Sequence, residues 1–103
     1  METSQRSSEQ QKLLRELAEK YFWWQEPGNA PRSNRRIIAQ VMEFGDFDDV
    51  ERAIDVLGIG AFAGVLRNAL PGWLSPRSWA YWHYRCRLIT PNQSPPPQPV
   101  RTL

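Results

Sequence analysis

Ile37-Ile38-Ala39-Gln40-Val41-Met42-Glu43-Phe44-Gly45-Asp46-Phe47-Asp48-Asp49-Val50-Glu51-Arg52-Ala53-Ile54-Asp55-Val56-Leu57-Gly58 is the stretch whose reading decides the fold. Ile37, Ile38, Val41 and Phe44 recur at helical spacing, and Val50, Ala53, Ile54 and Leu57 repeat the pattern. Between the two runs, Gly45 suits the left-handed position that ends a helix. Asp46 supplies the side-chain acceptor that starts the next one. Asp48 and Asp49 fall in that first turn, where the helix dipole favours negative charge. The stretch therefore reads as two short amphipathic helices on a tight corner, the second ended by Gly58.

Working outward, Ser33 or Asn34 caps the first of these helices, and Pro27-Gly28-Asn29-Ala30-Pro31 before it is a loop. Upstream, residues 1–7 read as a disordered N-terminus. Ser8-Glu9-Gln10-Gln11 matches a capping box, and a helix then runs to about Trp24 with Leu13, Leu14, Leu17, Tyr21 and Trp24 on its apolar side. Downstream, Phe62, Val65, Leu66 and Ala69 predict a fourth helix that Pro71-Gly72 stops. Ser75-Pro76 opens a fifth, with Ser as N-cap and Pro at the first helical position, where its missing N–H costs nothing. Its stripe of Trp79, Trp82, Cys86 and Ile89 carries it to Thr90-Pro91. Residues 91–103 hold five prolines, and Gln93-Ser94-Pro95-Pro96-Pro97-Gln98-Pro99 reads as extended or polyproline-like. No segment alternates like a strand and none repeats. The expectation is an all-α, compact bundle of about five short helices over residues 8–90, with a proline-rich C-terminal tail over 91–103.

Length predicts one domain. Net charge is only +2, but residues 57–103 carry five arginines and no acid. Six acids cluster between Glu43 and Asp55. Internal pairing or solvation is the ordinary fate of such asymmetry. Cys86 is the sole cysteine, so no intrachain disulfide forms, which fits a reducing compartment. The polar N-terminus lacks the apolar run of a signal peptide, and no stretch approaches the roughly 20 apolar residues that span a bilayer. A cytoplasmic protein is expected.

Five tryptophans in 103 residues are a surplus of ring surface. Such rings either fill a core, each N–H finding a partner, or anchor another protein. Trp23 and Trp24 are adjacent, so on a helix they point about 100° apart. Burying both would take cover on two faces.

Catalytic and metal chemistry find little support. One histidine and one cysteine cannot build a Cys/His zinc site. Gly58-Ile59-Gly60 lacks the preceding strand and spacing of a dinucleotide fingerprint. Ser78 and His83 point about 140° apart on a helix, with no carboxylate nearby in sequence. Asp46-Phe47-Asp48-Asp49 lacks calcium-loop spacing. No catalytic residue, metal or cofactor is assigned, and the protein is read as no enzyme.

Binding fits better. Trp23, Trp24, Trp73, Arg77, Tyr81, Trp82 and Arg85 are of the types enriched in hot spots and are the expected partner contacts. A nucleic-acid-binding regulator is the alternative. It would use Arg77, Tyr81, Tyr84, Arg85 and Arg87 on the basic aromatic helix 76–89, by stacking and charge. A homodimer is a further use for the rings.

Tyr21-Phe22-Trp23-Trp24, Ile38-Ala39-Gln40-Val41-Met42, Gly45-Asp46-Phe47-Asp48-Asp49-Val50, Pro71-Gly72-Trp73 and Ser78-Trp79-Ala80-Tyr81-Trp82-His83 together resemble a family of short, Trp-rich bacterial proteins. These are encoded beside nucleotidyltransferase toxins of the abortive-infection class. The resemblance covers roughly residues 20–90. It implies an all-helical, non-enzymatic antitoxin whose partner is the cognate toxin.

Overall fold

In the computed structural model, which describes residues 2–22 and 34–100, the stretch quoted above forms the centre of the molecule. Five helices and no strand occur among the described residues: α1 (Glu2–Tyr21), α2 (Asn34–Phe44), α3 (Phe47–Leu57), α4 (Ile59–Asn68) and α5 (Pro76–Arg85). The all-α bundle follows the apolar periodicities. α2 packs against each of the other four helices. Its cover is therefore nearly all round, and Ile37 to Met42 are buried without interruption, Gln40 included. One correction follows at its end. Phe44 belongs to no buried stripe; it is 65% exposed.

The corner after α2 is built as expected at Asp46 and differently at Gly45. Asp46 is extended (φ −77°, ψ 170°) and its carboxylate accepts from Asp49 N at 2.8 Å. Gly45, by contrast, does not adopt positive φ; only Gly58 and Gly72 do among the described glycines. Its side-chain-free Cα is needed for close approach instead. A Cβ there would lie 2.4 Å from the Val41 carbonyl oxygen and 2.9 Å from Val41 Cγ1. Gly58 at φ 86° both ends α3, its N–H bonding Ile54 O at 2.8 Å, and starts α4.

Two ends differ from expectation. α1 begins at Glu2, so residues 2–7 are helical and Ser8 lies within the helix rather than capping it. Its described end is Tyr21, followed by buried Phe22. Ser75 caps α5, accepting from Ser78 N, with Pro76 in the first turn. That helix stops at Arg85, short of Thr90. Arg87 takes a left-handed φ of 57°, and Leu88 N and Arg87 N bond His83 O and Tyr84 O. Such 6→1 and 5→2 type bonds satisfy the last carbonyls of a helix. The non-glycine Arg87 bears the strain of a conformation that L-residues seldom adopt.

The core joins Leu13, Leu14 and Leu17 of α1 to α2, Val50 and Ala53 of α3, Phe62, Val65 and Leu66 of α4, and Trp79 and Trp82 of α5. No helix of the described residues is long and apolar enough to cross a membrane.

Candidate functional site

The clearest concavity combining exposed rings with charge lies where α2, α3 and α5 meet, with a volume of about 440 Å³. That is the size class of sites that enclose whole side chains or small molecules. Buried Met42, Val50 and Trp82 form its floor. Phe47, 75% exposed, and Tyr81, 51% exposed, stand beside it. Arg77 and Arg85 complete the lining from α5.

Helix geometry explains this grouping. Arg77, Tyr81 and Arg85 are spaced at i, i+4 and i+8, one side of a 3.6-residue helix. Tyr81 and Arg85 are ordered by bonds to each other and to α3. Arg85 Nη1 donates to Tyr81 Oη at 2.8 Å, and Arg85 Nη2 pairs with the Glu51 carboxylate. The Glu51 hydrogen bond holds the Arg85 guanidinium above its ordinary pKa. Tyr81 meets the Trp82 ring edge-on at 5.2 Å between centroids. Glu43 accepts from Ser75 N at 2.7 Å, which pins the start of α5 to the end of α2. Arg77 is exposed and makes no ion pair or hydrogen bond among the described residues.

Trp82 is the main correction among the expected contacts. It is 2% exposed, and its indole Nε1 donates to Met42 O at 3.0 Å. Its ring lies 5.0 Å from Phe62. A satisfied, buried indole in the groove floor is a core residue rather than a protruding anchor. Trp73 is half-buried, and the Arg36 guanidinium sits 5.6 Å from its ring and 5.4 Å from that of Phe22. Trp23 and Trp24 lie outside the described residues. Phe44 and Phe47 were not legible as exposed, because their spacing continues the buried stripes of α2 and α3.

The residues of the nucleic-acid alternative are more engaged than a backbone-tracking surface needs. Tyr84 Oη donates to Gln93 O at 2.6 Å, Arg85 is held by Glu51, and Arg87 lies beyond the end of α5. The Glu43 and Glu51 carboxylates stand beside the arginines where phosphate would have to approach.

Much of the charge asymmetry is consumed internally. Lys20 reaches Asp46 at 3.2 Å and Asp49 at 2.6 Å, while Tyr21 Oη donates to Asp49 at 2.5 Å. These bonds from Lys20 and Tyr21 hold the Asp49 carboxyl below its usual range. Arg52 pairs with Glu16 at 2.9 Å. The acids around residues 46–51 thus fasten α1 and α5 to α3. Among the described residues no group of three or more His, Cys, Asp and Glu is placed to hold a metal. Cys86 is half-buried, and burial pushes its thiol pKa up.

No family model matches the chain, and no curated protein or solved structure matches it. The groove is therefore read on its own chemistry.

Proposed function

We propose that the protein is a non-enzymatic, antitoxin-like partner that binds and neutralises or regulates a cognate toxin, a nucleotidyltransferase by the resemblance above, through direct protein contact. The observation that supports this most is the pair of exposed rings, Phe47 and Tyr81, flanking an apolar floor beside an uncommitted Arg77. Aromatic and arginine side chains beside buried apolar groups are the residue types of interface hot spots. An apolar side chain of the toxin fits between the two rings, with a carboxylate of the toxin on Arg77. Trp73 and exposed Phe44 extend the same surface across the α2 end, where both line the adjoining depression. Tyr81 costs little ordering entropy on binding, because it is already held by Arg85.

Calorimetric titration of the product of the neighbouring gene into Phe47→Ala, Tyr81→Ala and Arg77→Glu variants tests the reading. Truncating either ring should cost about 2–4 kcal/mol of affinity, while fold stability stays within about 0.5 kcal/mol because both rings are exposed. Arg67→Ala, on exposed α4 surface, is the control. Unchanged affinity in all three folded variants removes the reading.

A further inference from the structure

The proline-rich tail does not hang free. Residues 94–100 carry no helix or strand, yet they return along α5. Trp79 Nε1 donates to Pro96 O at 2.7 Å. Tyr84 Oη donates to Gln93 O at 2.6 Å, and Gln98 Nε2 donates to Leu74 O at 2.9 Å. Two of these bonds run from ring donors on α5 to main-chain carbonyls of the tail. A proline has no N–H, so its carbonyls are the main-chain handles it offers. An aromatic surface that reads carbonyls along a proline run is the mode by which polyproline segments are recognised between proteins. The seat is prepared for this. His83 packs against the Trp79 indole at 4.4 Å between centroids, and its Nδ1 donates to Trp79 O at 2.7 Å.

We infer that the Trp79 and Tyr84 rings of α5 form a receptor for a proline-rich, extended segment of a partner protein, and that the chain's own tail occupies it when no partner is bound. Two of the three contacts take main-chain carbonyls of the tail, Gln93 O and Pro96 O, and the third uses the Gln98 side chain. A partner segment with prolines at the same spacing satisfies the same donors. The tail is a replaceable occupant: Ser94, Pro96 and Pro97 are exposed, and Pro95, Gln98 and Pro99 are only partly buried. Exchange of tails between two copies is disfavoured by the turn before it. Gln93 N bonds Thr90 O at 2.9 Å and Thr90 N bonds Gln93 Oε1 at 2.8 Å, which directs the strand onto its own helix. Trp79 and Tyr81 lie about 160° apart around α5. Neither Trp79 nor Tyr84 lines the groove of the toxin-binding reading, so the seat is separate from it and the inference does not rest on that reading.

The test uses the full chain carrying Pro95→Gly, Pro96→Gly, Pro97→Gly and Gln98→Ala together, labelled for nuclear magnetic resonance. The probe is a synthetic peptide with the sequence of residues 92–100. The Trp79 indole N–H resonance, assigned with Trp79→Phe, should move in the tail variant and return saturably to its wild-type position as peptide is added. A peptide with its three consecutive prolines changed to glycine should bind at least about tenfold more weakly, because each proline removes backbone freedom beforehand. Trp79→Phe should weaken the peptide about fivefold or more through loss of one hydrogen bond. No movement of that resonance at saturating peptide overturns the inference. So does a tail variant without a cooperative unfolding transition, which would make the tail part of the core. Concentration-dependent dimers of the wild-type chain that disappear in the tail variant would also overturn it, by making a second copy the occupant. Groove variants on α3 such as Phe47→Ala should leave peptide binding unchanged.

Discussion

Truncating Trp82 to Ala, and separately to Phe, separates a core ring from a surface anchor. Trp82 is 2% exposed, stacks 5.0 Å from Phe62 and donates to Met42 O. Removing a fully buried Trp costs about 3–5 kcal/mol through lost transfer energy and the residual cavity. Loss of the Met42 bond leaves a carbonyl without its donor, which places Trp82→Ala in the upper half of that range. A domain of this size has about 5–15 kcal/mol in total. The Ala variant should therefore lose about a quarter or more of its stability, or fail to fold. Trp82→Phe keeps most of the ring contact and gives up the N–H, so it should cost about 1–2 kcal/mol. Denaturant unfolding followed by far-ultraviolet circular dichroism reads both without relying on the ring being removed. A loss below about 1.5 kcal/mol for Trp82→Ala, far under the core range, would refute the assignment. If partner affinity collapsed at the same time, Trp82 would be the anchor that its residue type first suggested.

Glycines give an opposed pair. Gly45→Ala drives a Cβ to 2.4 Å from a backbone oxygen, an overpacked contact expected to cost about 1–3 kcal/mol; Gly64→Ala, in helix α4 with nothing within 4 Å of its Cβ, should stabilise by about 0.5–1 kcal/mol, and thermal melts of both check the contrast. Asp49 predicts an acid sensitivity. Its carboxyl pKa is lowered by Lys20 and Tyr21, so the stabilisation it provides is complete above the ordinary Asp pKa of about 3.9 and fades as pH falls through the lower folded value. The stability difference between wild type and Asp49→Asn, measured by denaturation across pH, should hold above about pH 4 and shrink below it; a difference that persists unchanged in acid would show that the bonds of Asp49 do not depend on its charge.

Several elements were legible because local physics fixes them. Asp46 and Ser75 cap their helices since a short side chain can reach an N–H three residues on, whatever surrounds it. Pro76 and Gly58 act through their own φ preferences in the same way. The exposed Arg77–Tyr81 edge was readable from i, i+4 spacing alone. Other features needed the whole fold. Gly45 is small because of how closely the Val41 carbonyl approaches, and no local signal separates that from a left-handed cap.

The sequence by itself determined an all-helical chain, its internal caps and the side of α5 that carries Arg77, Tyr81 and Arg85, because periodicity and capping are properties of neighbouring residues. Only the tertiary structure decided which rings lie inside. Phe44 and Phe47 share the spacing of buried residues yet stay outside, since they sit at the last position of α2 and the first of α3 and nothing among the described residues covers them fully. Trp82 shares the chemistry of an interface anchor yet is closed in by Phe62 and Met42. Burial depends on which elements arrive from far along the chain, and Pro96 on Trp79 is one such arrival: a tail that looks free in sequence is held by the Trp79 indole N–H together with Tyr84 and Gln98.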